Sequence, residues 1–142
     1  MTPEQISLVT DGIDRLQPRL PELADAFYRT LFERHPELRT MFPAELSRQR
    51  VKFADELRTI VRAIPDFGSF IGNATQLGAR HVGYGVRVAH YGQVRAVLLE
   101  TIAYALGPEW TDDMGQAWSS AYDLITEAML MGASLDGVST SR

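Results

Sequence analysis

Few residues in this chain could hold a metal or drive nucleophilic chemistry, and that scarcity is informative. There is no cysteine, and the only histidines are His35, His81 and His90. Without cysteine there are no disulfides, no thiolate zinc sites and no cysteine nucleophile. A metal would have to be held by imidazole, carboxylate or phenolate. An isolated histidine is more often exposed, or satisfied within a core, than a ligand. His35 precedes Pro36 in a polar helix-end segment and reads as exposed. His90 stands beside Tyr91 at the start of a helical stripe and is open to either reading. His81 follows Leu77 by four residues and precedes Gly83-Tyr84-Gly85. That spacing puts an imidazole on the inner face of a helix end. It is either a core histidine or a ligand to a flat group held between helices.

Other short patterns carry no chemistry. Val82-Gly83-Tyr84-Gly85 matches part of a potassium-channel filter, but nothing in the chain approaches the roughly 18 apolar residues of a membrane span. Asn73-Ala74-Thr75 is a glycosylation sequon in a chain that starts without a secretion signal. No phosphate loop, H-E-x-x-H or nucleophile elbow is present, and Asp112-Asp113 reads as a helix N-terminus favoured by the dipole.

The elements that must position His81 are helices throughout. Thr2-Pro3-Glu4-Gln5 is a capping box with proline at the first helical position, followed by Ile6, Val9, Ile13 and Leu16 at helical spacing. Pro18 and Pro21 interrupt the pattern. A second helix is predicted from about Pro21 to Arg34, with Leu23, Phe27 and Leu31 on one face, and His35-Pro36 ends it. A short helical turn over Glu37 to Phe42 follows. The stripe Phe53, Leu57, Ile60, Val61 and Ile64 stops at Pro65-Asp66. A helix from about Phe67 to Arg80 then carries His81 at its end. Two long helices close the chain, one with Tyr91, Val94, Leu98 and Ile102 ending at Gly107-Pro108, the other with Met114, Trp118, Tyr122, Ile125 and Met129. No alternating strand pattern or repeat occurs, so the fold class is all-α. Residues 1–142 read as one domain, with a frayed tail from about 134 to 142.

Composition agrees. The 142 residues are 45% hydrophobic and 23% charged, enough for a buried core. Fourteen basic and 18 acidic residues give a net charge of −4, with no footprint for nucleic acid. The expected location is cytoplasmic.

Several segments resemble bacterial globins. Ala26-Phe27-Tyr28-Arg29-Thr30-Leu31-Phe32, His35-Pro36-Glu37-Leu38-Arg39 and Met41-Phe42 look like their B-to-C helix region. Arg80-His81-Val82-Gly83-Tyr84-Gly85-Val86 with His90-Tyr91 looks like the F helix and FG corner, and Ala117-Trp118 with Ala121-Tyr122 like the last helix. The similarity is to single-domain bacterial globins and the globin half of flavohaemoglobins, from about residue 3 to 132. Tyr28 lies 14 residues before Phe42, and Gln49 lies 32 before His81. Both separations match the family.

The resemblance implies a three-on-three helical sandwich around haem b, bound non-covalently, with His81 as the iron ligand. Lacking cysteine, the chain could hold haem neither by a thiolate nor through a C-x-x-C-H attachment. Tyr28 and Gln49 would be the distal residues that stabilise a gas ligand. Phe42, Phe53, Leu77, Tyr84, Val86, Val94 and Leu98 would line the haem site, Lys52 and Arg80 would pair with its propionates, and a backbone carbonyl or a proximal side chain, Tyr91 the candidate, would orient His81. The implied partners are dioxygen and other diatomic gases, with an external reductase and a monomer or homodimer. Two departures stand out: a shorter loop between Phe42 and Gln49, and Leu135 where flavohaemoglobins carry a proximal Glu. The implied function is reversible oxygen binding, for transport or storage. The alternatives are nitric oxide dioxygenase fed by a separate reductase and, behind it, a gas sensor.

Overall fold

A computed structural model describes residues 1–140, and side chains through Ser134. Among the described residues the chain forms helices and no strand: α1 (Pro3–Leu16), α2 (Leu20–Arg34), α3 (Ser47–Ala63), α4 (Phe67–Gly83), α5 (Val88–Leu106) and α6 (Asp112–Thr140). Short 3-10 turns occupy Gln17–Arg19, Pro36–Met41 and Gly107–Glu109. No described helix is long and apolar enough to cross a membrane.

Local sequence explains most of these limits. The Thr2 hydroxyl accepts from the Gln5 amide at 3.1 Å while the Thr2 amide donates to the Gln5 side chain at 3.0 Å, which closes the box that starts α1. The pair Pro18 and Pro21 costs only one short 3-10 turn, because each proline falls in a first helical turn, where no amide is required. The segment expected as a turn of helix over Glu37 to Phe42 is a tighter 3-10 helix ending at Met41. The Asp66 carboxylate caps α4 at Ser69. α4 continues past Arg80 to Gly83, so His81 lies in its last turn. Gly85 then turns the chain at φ +83°, a left-handed conformation that favours glycine, and the Val86 amide returns to the His81 carbonyl at 3.0 Å.

The helices pack in two layers of three. α1, α3 and α4 are neighbours in one layer, and α2, α5 and α6 in the other. Contacts of α4 and α1 with α6, and of α2 with α3, join the layers. The α4–α6 contact is the most extensive. It depends on two glycines: a Cβ on Gly78 would lie 1.9 Å from the Met129 carbonyl oxygen, and one on Gly132 would lie 1.9 Å from the Thr75 carbonyl oxygen. The two backbones therefore touch. The common core includes Ile13, Leu16, Leu31, Val61, Phe70, Val97 and Ile102, all fully buried. The expected frayed tail and Leu135 fall mostly or wholly outside the described side chains.

Candidate functional site

The two layers leave a largely apolar slot of about 420 Å³ lined by residues of α2, α3, α4, α5, α6 and the α4–α5 corner. Its volume is that of a small-molecule or cofactor cavity. Tyr28, Phe42, Gln49, Lys52, Phe53, Leu77, His81, Tyr84, Val86, Tyr91, Val94 and Leu98 all line it. Arg80 does not. Its guanidinium turns to Glu56 on α3, 3.8 Å away.

His81 lines the slot from the last turn of α4. Its Nδ1 lies 2.8 Å from the Leu77 carbonyl oxygen, one helical turn back. A carbonyl can only accept, so Nδ1 carries the proton and Nε2 keeps its lone pair. Burial lowers the His81 pKa below the ordinary histidine value, with the bond to Leu77 opposing, which favours the neutral ring. Of the two expected orienting groups, a backbone carbonyl or the Tyr91 side chain, the Leu77 carbonyl holds the ring, and Tyr91 is tied through its own backbone carbonyl, which accepts from the Tyr122 hydroxyl at 2.6 Å.

Tyr28, only 3% exposed, lines the same slot. The Gln49 amide donates to its hydroxyl at 3.1 Å. The phenol oxygen is thereby an acceptor, and its own proton remains available to donate. Burial pushes the Tyr28 pKa up to about 12, with the Gln49 bond opposing, so the group stays a protonated donor at neutral pH. Aromatic neighbours fix the ring: Phe27, Phe42 and Phe53 meet it edge-on at centroid distances of 5.1, 5.5 and 5.5 Å. Phe42 is placed in turn by Arg39, whose guanidinium donates to the carbonyls of Phe42, Pro43 and Ala44 at 3.4, 2.9 and 2.8 Å. That clamp is invisible to periodicity.

At the mouth, the Lys52 ammonium donates to the Tyr84 hydroxyl at 3.0 Å, which ties α3 to the α4–α5 corner. His90 also lines the slot, and its Nδ1 accepts the Arg87 amide at 2.9 Å. In its neutral form this ring carries its proton on Nε2, the opposite tautomer to His81. Of the two slot imidazoles, only His81 keeps a ring nitrogen lone pair unused.

Sequence reasoning missed Glu56 and Tyr122 as slot residues. Glu56 lies four residues after Lys52 and seven after Gln49, so it shares their face of α3. Tyr122, Ile125 and Met129 line the slot from α6, although their helical spacing reads equally well as ordinary core.

Comparison with known proteins agrees with this architecture. The Globin family model matches residues 25–129. A flavohemoprotein of Chromobacterium violaceum is 32% identical over 127 residues, covering 87% of this chain and 31% of the relative. The chain thus spans about a third of that protein's length. A leghemoglobin of Medicago sativa is 27% identical, covering 90% of this chain and 95% of the relative. A solved structure from Rhodothermus marinus superposes with a TM-score of 0.88 at 29% identity, covering 100% of this chain and 99% of the other. It is described as an engineered carbene transferase and a provisionally assigned nitric oxide dioxygenase.

Proposed function

Because the chain belongs to the globin family, we propose that its slot binds haem b with His81 as the axial iron ligand, and that it reversibly binds dioxygen. The observation that carries this reading is the presence in one apolar slot of two differently prepared groups. His81 offers a lone pair held in place by Leu77, and Tyr28 offers an O–H held in place by Gln49.

The residues present fit such a group. Phe42, Phe53, Val94 and Leu98 supply apolar walls, and burying a large flat macrocycle between them is favourable through area. Lys52 and the Nε2–H of His90 stand at the mouth, where carboxylates would need donors. Haem, when bound, supplies an iron able to take up a diatomic gas. The Leu77 carbonyl holds the imidazole plane and makes Nε2 a better donor to a metal. Tyr28 directs a hydrogen bond at a gas carrying partial negative charge, an interaction worth about 1.5–3 kcal/mol when charge-assisted. The apolar walls limit competition from water for that bond.

A second reading, nitric oxide dioxygenation, draws on the similarity to the Rhodothermus marinus structure. On that reading the slot would hold haem for the combination of nitric oxide with dioxygen to nitrate, and a separate reductase would have to supply one electron per turnover.

Purified protein supplied with one equivalent of haem tests both. The expected result is stoichiometric uptake, with ferric, ferrous and oxygenated absorption spectra typical of imidazole ligation. Failure to bind, or spectra without an imidazole ligand, would overturn the proposal. Sustained nitric oxide consumption with a supplied reductase would favour the second reading. A single stoichiometric oxidation would leave oxygen binding.

A further inference from the structure

The charges of this acidic chain are unevenly placed. From Phe67 to Leu99 there is no Asp or Glu, while Arg80, Arg87 and Arg95 are present, so this stretch contributes +3 to a total of −4. A second acid-free stretch, Leu46 to Ala54, holds Arg48, Arg50 and Lys52. The Lys52–Tyr84 hydrogen bond brings the two stretches together at the mouth of the slot.

Most cations elsewhere are engaged. Arg15, Arg29, Arg34, Arg58, Arg62 and Arg95 pair with carboxylates, as do Arg50 and Arg80 beside the slot. Arg19 and Arg39 donate to backbone carbonyls. Arg48, Lys52 and Arg87 pair with no carboxylate among the described residues, and all three are exposed. Arg48 is one helical turn before Lys52, and Arg87 adjoins Val86 of the slot wall. Among them stand Val51, Tyr84 and Val88, which are 63%, 53% and 68% exposed. Arg48 and Arg87, together with Lys52 that the slot shares, therefore form a cationic rim with an apolar component on one side of the opening, where Glu56 is the acid lining the slot, on an otherwise anionic molecule.

We propose that this rim docks an acidic electron-carrier protein, one that presents carboxylates around a one-electron redox centre. The proposal rests on the haem-binding reading. The charge complementarity is direct: the rim attracts carboxylates while the net negative remainder turns an acidic partner toward it. The few apolar residues suit the small interfaces of transient redox encounters. A lipid surface would favour a broader face of large apolar side chains, whereas two valines and one tyrosine stand here. With haem bound, the docked pair would pass one electron from the partner's reduced centre to the ferric iron, which would leave the iron ferrous and the partner oxidised by one electron with no bond made or broken.

The test uses the haem-loaded chain and a plant-type [2Fe–2S] ferredoxin as the acidic probe. Association is measured by calorimetry at two ionic strengths, and reduction of the ferric protein by reduced ferredoxin is followed optically. Arg48→Glu and Arg87→Glu are compared with Arg62→Glu, which makes the same charge change about 21 Å along α3 from Arg48. The expected result is salt-sensitive binding that each rim reversal weakens roughly tenfold and the control leaves near wild type. Absence of association, equal effects of all three reversals, or capture by phosphatidylglycerol vesicles in preference to ferredoxin would overturn docking. Haem uptake of each protein is scored separately by its absorbance. If the wild type takes up no haem, the underlying reading fails; if uptake is normal and the rim variants behave like the control, only docking fails.

Discussion

A methyl group on Gly78 would meet the carbonyl oxygen of Met129 at 1.9 Å. The obstacle is backbone, so no side chain can swing aside, and α4 would have to separate from α6. Gly78→Ala is therefore expected to destabilise the protein by at least about 2 kcal/mol, toward the upper part of the range for overpacking. Gly72 lies on the same helix, and a Cβ added there would have nothing within 4 Å. Gly72→Ala should stabilise by about 0.5–1 kcal/mol, because alanine gains helix propensity at no steric cost. Chemical denaturation of both variants measures the signs. Equal effects would show that the crossing is looser than the distances indicate.

The same pair shows where sequence reading stops. Helical stripes, proline breaks and the Thr2 box locate the six helices of the described residues, because each is a local pattern over a few turns. The approach of Gly78 to Met129, and of Gly132 to Thr75, links two helices far apart in sequence, and nothing in either glycine's neighbours announces it. His81, Tyr28, Phe42 and Gln49 are legible as residues, since their types and intervals match a family. Their partners are not. The Leu77 carbonyl is backbone, which has no sequence signature, and the Arg39 clamp involves an arginine indistinguishable by composition from a solvated one. Arg80, expected near a propionate, faces Glu56 instead, because both sit where α3 and α4 run side by side.

On the proposed haem-binding reading, Tyr28 and Gln49 predict an order of effects. Tyr28→Phe removes the donor and should speed oxygen release by roughly tenfold or more, equivalent to about 1.4 kcal/mol. Gln49→Leu leaves the phenol in place and removes only the bond that holds it, so its effect should be smaller. Carbon monoxide carries less negative charge when bound and should respond weakly to both. Laser photolysis and stopped-flow mixing give these rates. An unchanged oxygen off-rate in Tyr28→Phe would exclude Tyr28 as the donor.

The Tyr28 phenol also sets a pH signature. Its folded pKa is raised to about 12, against about 10 in the unfolded chain. As pH rises, the unfolded state loses this proton first. The stability contribution is then complete below about pH 10 and is lost as pH climbs toward 12. Tyr91 and Tyr122 are shifted upward by burial as well and add to the same slope. Phenolate absorbance of the folded protein should show late-titrating tyrosines, and Tyr28→Phe should remove one of them. A Tyr28 that ionises near pH 10 would contradict the buried geometry.

Replacing His81 separates ligation from packing. The ring is buried enough that His81→Gly leaves a void, and loss of haem alone could reflect collapse of the slot. Free imidazole resolves the ambiguity, since it can refill the space and offer a nitrogen to the metal without a covalent tether. The expected sequence is weak haem retention in His81→Gly, recovery of the wild-type spectrum on adding imidazole, and no recovery with a hydrocarbon of similar size. His90→Gln should keep its axial spectrum throughout, because the Arg87 amide engages Nδ1 of that ring and leaves Nε2 protonated. Retention of the wild-type spectrum in His81→Gly without added imidazole would reassign the ligand.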